Sequence, residues 1–188
     1  MLEAEIKRAT CRVVCAAEVG TGSLVGSRMV LTAFHCVRDA VRAGAEIKLE
    51  FLDAGLQMSA TVIGYDENLD ACLLAVAQDI EAAPIDLVVG PRREGVAWHA
   101  FGFPTAKMDV GHRLEGKISQ VLPAPVMKMD VDLVIDPTFS LSDYAGLSGA
   151  LLVVGLAANA MLRLSVDKAL GAISVGAMAD FLQSTRLR

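Results

Sequence analysis

Short apolar runs broken by turn residues dominate the chain. Arg12 to Ala17 is one such run, ending at an expected Gly-rich turn, Gly20-Thr21-Gly22. Ser23 to Leu31 holds two apolar pairs around Gly26-Ser27, the arrangement of a hairpin. Ala33, Val37, Ala40 and Val41 recur at helical spacing and predict one or two helical turns. Glu46-Ile47-Lys48-Leu49-Glu50-Phe51 alternates polar and apolar, the signature of a half-buried strand. Met58 to Tyr65 and Ala71 to Val76 read as further strands, as do Val96 to Phe101, Leu114 to Leu122, Val126 to Ile135, Ala150 to Val154 and Ala169 to Val175. Ala177 to Thr185 is apolar at Met178, Phe181 and Leu182 and predicts a C-terminal helix. Roughly ten short strands at near-regular spacing point to a sandwich or to barrels.

Composition narrows this. The 188 residues allow one large domain or two small halves sharing a cleft. Pro84, Pro91 and the polar stretch Gly90 to Gly95 divide the chain into 1–90 and 91–188. Apolar residues make up 54% and aromatics only 5%, so the core must be built from Val, Leu, Ala, Ile and Met. Seventeen basic against 22 acidic residues offer no basic face for nucleic acid. No apolar stretch approaches the roughly 20 residues that span a bilayer, so no membrane partner is expected. Met1 to Arg8 has acidic residues and no apolar run, unlike a secretory leader. With Met1 as the native start, the expected compartment is the cytoplasm, and Cys11, Cys15, Cys36 and Cys72 are expected to be reduced. Cys11 and Cys15 lack a second pair at similar spacing, so neither a metal nor another cofactor is expected.

Three segments carry candidate chemistry. Thr32-Ala33-Phe34-His35-Cys36 follows an apolar run, Asp70 lies in Leu69-Asp70-Ala71-Cys72, and Ser148 lies in Gly146-Leu147-Ser148-Gly149. A base, a carboxylate and a nucleophile thus occur in the order His, Asp, Ser. A serine hydroxyl is a weak nucleophile and needs an adjacent base. An imidazole suits, because its ordinary pKa lies near the working pH. Asp70 would accept from the other ring nitrogen, fixing the tautomer and stabilising the imidazolium. The backbone N–H groups of Gly146 and Ser148 would face the developing oxyanion, each such donor being worth about 10²–10³ in rate.

These segments resemble the chymotrypsin-like (trypsin-like) serine peptidases, in their compact bacterial form. The resemblance runs from Gly20 to about Phe181 and includes Gly22-Ser23-Leu24-Val25 and Ile173-Ser174-Val175-Gly176. It implies an all-β fold of two six-stranded antiparallel barrels with the site between them. The first barrel carries His35 and Asp70, and the second carries Ser148. It implies a serine endopeptidase acting on proteins or peptides through an acyl-enzyme. It further implies that Ser174 bonds the Asp70 carboxylate, that Val175 and Gly176 line the primary pocket, and that Ser142 lies at its floor. A neutral floor favours an uncharged, apolar or medium-sized residue before the scissile bond, since an unpaired buried charge is costly. Asp143, one residue on, would select Lys or Arg if a loop shift aimed it into the pocket.

The chain departs from the family at four places. Phe34 stands where Ala is usual, and Ala150-Leu151 follow the serine loop where Gly-Pro is usual. Leu147 stands where secreted relatives carry the Asp that pairs with a newly cut N-terminus, so no activation of that kind is expected. Leu156 to Lys168 is longer and more apolar than the usual hairpin, which leaves room for a short helix there. Regulatory or sensor domains of a longer protein are expected partners, because an uncontrolled cytoplasmic peptidase would degrade its neighbours. Two other readings stand beside this one: a catalytically silent peptide-binding module, and a narrowly specific processing protease switched by partner domains.

Overall fold

The alternation at Ile47–Phe51 becomes a strand whose Ile47, Leu49 and Phe51 are buried while Lys48 faces solvent. Leu56–Asp66 alternates in a similar way, whereas Ala71–Val76 and Leu170–Ser174 are buried at nearly every position, on both faces. The computed structural model describes residues 3–15, 18–90, 93–164 and 170–186. In the first half, β1 (Thr10–Cys15), β2 (Glu18–Gly26), β3 (Met29–Ala33), β4 (Ile47–Phe51), β5 (Leu56–Asp66) and β6 (Ala71–Val76) close in the order β1-β2-β3-β6-β5-β4. In the second, β7 (Ala97–Gly102), β8 (His112–Val126), β9 (Met129–Ile135), β10 (Leu151–Val154), β11 (Ala157–Leu164) and β12 (Leu170–Ser174) close in the order β7-β8-β9-β12-β11-β10. Both are closed six-stranded antiparallel barrels, which removes the exposed edges of an open sheet.

Leu24, Leu31, Leu49, Leu73 and Leu74 fill the first barrel, and Trp98, Leu114, Leu152, Leu162 and Ala172 fill the second. The apolar cluster of the first barrel continues into Phe101, Phe103, Leu151 and Met161, so the two halves share a packed seam. The connection between them is stitched to both: Ile85 N–H donates to Leu24 O, and Val88 N–H donates to Ala158 O.

Among the described residues, three α-helices decorate the barrels. The expected C-terminal helix, α3 (Ala179–Arg186), buries Phe181 and Leu182, and Thr185 closes on Gly64 of β5. The expected turns after β3 are a 3₁₀ turn at Phe34–Cys36 and α2 (Arg38–Ala43). A third helix, α1 (Glu3–Ala9), has no counterpart in the sequence reading. It buries Ile6 and Ala9, pairs Glu3 with Arg113 of the second barrel, and pairs Lys7 with Asp53 of the first. The room left for a helix at Leu156–Lys168 is taken by a strand as far as Leu164; residues 165–168 lie outside the described residues. Gly155, at φ +65°, turns the chain back after β10, and pairing with β10 and β12 on both edges holds this Ala-rich segment extended.

Candidate active site

The register of β3 against β6 sets the first half of the site. Ala33 lies opposite Ala71, which brings the residues just beyond them, His35 and Asp70, side by side. Phe34 N–H donates to Asp70 O at 2.9 Å, and His35 N–H donates to Asp70 Oδ1 at 2.9 Å. The His35 Nδ1 to Asp70 Oδ2 distance is 2.6 Å. Asp70 sits at φ +54°, a left-handed backbone that Asp tolerates better than most residues. Its side chain is 2% exposed and that of His35 is 32%, so the carboxylate is sealed while the imidazole faces the cleft.

Burial alone would raise the Asp70 pKa. The hydrogen bond and charge of the His35 ring, the charge of Arg163 and the His35 N–H outweigh it and hold the carboxyl below its ordinary value. Phe34, in the place where a small residue is usual, stacks on Tyr65 with ring centroids 4.3 Å apart and planes 9° off parallel. Cys36 is buried, and burial pushes its thiol far up, with the charge of Asp70 adding to the effect; it is a packing residue beside the base.

Ser148 comes from the loop before β10. Gly146 (φ +93°) and Gly149 (φ +96°) shape that loop. A Cβ at Gly146 would lie 2.4 Å from Phe103 O, and one at Gly149 would lie 2.0 Å from Thr21 O, so no other residue fits either place. Leu147 points away from the cleft and is fully buried in the second core. Among the described residues, the N–H groups of Gly146 and Ser148 have no acceptor.

The loop is held from the other barrel by Thr21, at the middle of β2. Its N–H donates to Ser148 O at 3.0 Å and its hydroxyl donates to Gly146 O at 2.8 Å. The same hydroxyl accepts from Phe103 N–H at 2.9 Å, and Thr21 O accepts from Thr32 Oγ1 at 2.7 Å. The sequence reading takes Gly20-Thr21-Gly22 as a turn; these residues are instead strand, paired with Val13, Arg12 and Cys11 of β1, and the glycines mark a close approach to Cys36 and Val30 rather than a reversal of the chain.

His35, Ser148 and Gly146 line one cleft of about 380 Å³, together with Glu18, Val19, Cys36, Thr105, Met108, Ala145 and Leu164. The Ser148 hydroxyl accepts from Leu164 N–H at 3.4 Å. His99 and His112, the other two histidines, do not line this cleft: His99 is half-buried on β7, and His112 Nε2–H donates to Phe139 O at 2.9 Å.

The residues expected to bind substrate are not gathered at this cleft. Ser142 is exposed, and Asp143 Oδ1 accepts from Ala145 N–H at 3.0 Å, turning that oxygen onto its own loop. Ser174, Val175 and Gly176 form the exit from β12 toward α3. The Ser174 hydroxyl donates to Asp130 Oδ2 at 2.5 Å and accepts from Ala177 N–H at 3.0 Å, while its own N–H donates to Asp130 Oδ1 at 2.7 Å. Val175 is buried, with its N–H donating to Asn159 O.

The register explains this displacement. Ser174 lies opposite Ala160, whereas the cleft end of β11 is Leu164, opposite Leu170. Four residues of strand put Ser174 about 13 Å from that end. The place next to Asp70 that the resemblance gave to Ser174 belongs to Arg163, whose Nε lies 2.8 Å from Asp70 Oδ2. Arg163 carries no motif in the sequence, and its strand was not foreseen.

Two six-stranded barrels flanking a cleft, with a histidine–aspartate pair from one and a glycine-flanked serine from the other, define a chymotrypsin-like peptidase fold. The chain belongs to the trypsin-like peptidase domain family, whose model matches residues 20–155, and it is a serine endopeptidase of that family. No curated protein matches it. Solved structures share its fold at low identity. The inactive form of the Rv3671c protease of M. tuberculosis superposes with a TM-score of 0.75 at 19% identity, over 97% of this chain and 91% of that one. Deg5 gives 0.73 at 13%, over 94% and 88%. A serine endoprotease from Yersinia pestis gives 0.73 at 19%, over 97% and 65%.

Proposed function

We propose that His35, Asp70 and Ser148 work as a catalytic triad that hydrolyses peptide bonds in protein or peptide substrates through an acyl-enzyme. The observation that carries this reading is the buried 2.6 Å contact between Asp70 and His35, opening on the cleft that Ser148 also lines. With Nδ1–H committed to Asp70, Nε2 is the lone-pair nitrogen facing substrate. In the resting arrangement the Ser148 hydroxyl rests on Leu164 N–H, and it turns to Nε2 as substrate enters. Nε2 takes the hydroxyl proton as Oγ attacks the carbonyl carbon. The oxyanion forms against the Gly146 and Ser148 N–H groups, and His35 then gives its proton to the leaving amine. Water repeats the sequence to release the acid.

The four buried, free cysteines are consistent with a reducing compartment, the cytoplasm. A fluorophosphonate probe tests the reading: wild type is expected to label on Ser148 and Ser148→Ala not at all, with the fold unchanged. Labelling that survives Ser148→Ala, or a wild type that never labels, would sink it.

A further inference from the structure

The C-terminal end of β11 touches two members of the triad at once. Leu164 N–H holds the Ser148 hydroxyl, and the next residue back, Arg163, lies against Asp70. The Arg163 side chain is 14% exposed, and its Nε is 2.8 Å from Asp70 Oδ2, the oxygen that also faces His35 Nδ1. The Nε–H bond is not directed at that oxygen, and among the described residues neither Nε nor Nη1 has a hydrogen-bond partner. The contact is therefore one of charge with charge.

A guanidinium buried to this extent is costly unless a counter-charge meets it, and Asp70 is the carboxylate it meets. The other groups around the pair are Glu18 on β2, Arg38 at the start of α2, and the thiols of Cys15, Cys36 and Cys72. Burial keeps these thiols protonated, and Arg38 is held by Asp39 at 3.0 Å. Arg163 is thus the cation in direct contact with the carboxylate that serves the base.

We propose that Arg163 is a positioning residue that sets the working pH of the His35–Asp70 pair by sharing the Asp70 carboxylate with the imidazole. The proposal rests on the triad reading above. An unshared buried carboxylate favours the imidazolium strongly, and a protonated base cannot accept the serine proton. The guanidinium offsets part of that attraction and repels a second positive charge nearby, which, compared with a carboxylate left unshared, favours the neutral, proton-accepting imidazole. Arg163 lies opposite Gly171 of β12 and its side chain is only 14% exposed, so the cation is held in place rather than waving in solvent.

The test follows the rate of fluorophosphonate labelling against pH in the full chain. Arg163→Gln, which removes the charge and keeps most of the size, is expected to move the acid limb of the profile up by about one pH unit. Arg163→Lys is expected to keep it near wild type. A second readout needs no catalysis: NMR titration of His35 in the Ser148→Ala protein, with His99 and His112 assigned by substitution in turn, is expected to show the same upward shift. Should Arg163→Gln not fold, Arg163→Met keeps the apolar stem and reads the same quantity. A folded charge-free variant with wild-type limb and wild-type His35 titration would overturn the proposal, leaving Arg163 a structural ion-pair partner. A wild type that fails to label would strike the triad reading instead, while the NMR shift would still report on Arg163.

Discussion

The two barrels have the same strand order, yet they hold their functional groups by different means. In the first, the base and its carboxylate lie just past paired positions of β3 and β6, so sheet register itself fixes their separation. In the second, the nucleophile rides on a loop between β9 and β10 whose shape depends on two glycines and on Thr21 of the first barrel. One barrel thus sets the spacing of its pair by its own register, with only Arg163 of the other barrel laid against Asp70, whereas the other shapes its whole loop against its neighbour. Site geometry is therefore a property of the seam between barrels as much as of either barrel.

The sharpest way to break this arrangement is within the first barrel. Asp70→Asn is expected to lower turnover by about 10⁴, because an amide there stabilises the wrong imidazole tautomer. It also leaves Arg163 without its counter-charge, so the thermal midpoint falls too. The pH dependence of stability checks the same pair. A depressed folded-state pKa for Asp70 contributes stability that is fully present above its unfolded value, about 3.9, and is lost as pH falls through the folded value. Acid unfolding of wild type should show this limb and that of Asp70→Asn should not.

A smaller effect is expected across the seam. Thr21→Val keeps the N–H to Ser148 O but deletes the hydroxyl that bonds Gly146 O and Phe103 N–H. A stability loss of about 1–3 kcal/mol is expected, with a fall in labelling rate of roughly tenfold as the donor loop loosens. A variant that lost stability but labelled at the wild-type rate would show the loop to be self-supporting. The least effect on chemistry is expected at Ser174→Ala. It leaves Asp130 short of a buried partner and costs about 1–3 kcal/mol, but the labelling rate should stay within about twofold. A large loss of rate there would return Ser174 to the site.

The same contrast governs what was legible in the sequence. His35, Asp70 and Ser148 stand in local settings that motif and order reveal, and in the first barrel Ile47–Phe51 alternates cleanly. The second barrel hides more. β11 reads Ala-Ala-Asn-Ala-Met-Leu-Arg-Leu, with no β-branched residue, and its strand state comes from its two neighbours rather than from propensity. With that strand unseen, the Ser-Val-Gly stretch one strand later was the nearest match to the pocket wall, and Arg163 had no place in the reading. Helix α1 was missed because it has only seven residues and is held by ion pairs with both barrels and two buried side chains, none of which shows in a local pattern.

The left-handed backbone at Asp70 also bears on how this lineage can change. A turn at φ +54° admits Asp, Asn and Gly with the least strain, and most other residues at a cost. Of those three, Asp alone carries the charge that orients the base. Drift at this codon is therefore channelled: the exits that keep the backbone turn are those that silence the chemistry. A descendant carrying Asn here would retain both barrels, the serine loop and the cleft, and would be mistaken on shape alone for a working peptidase.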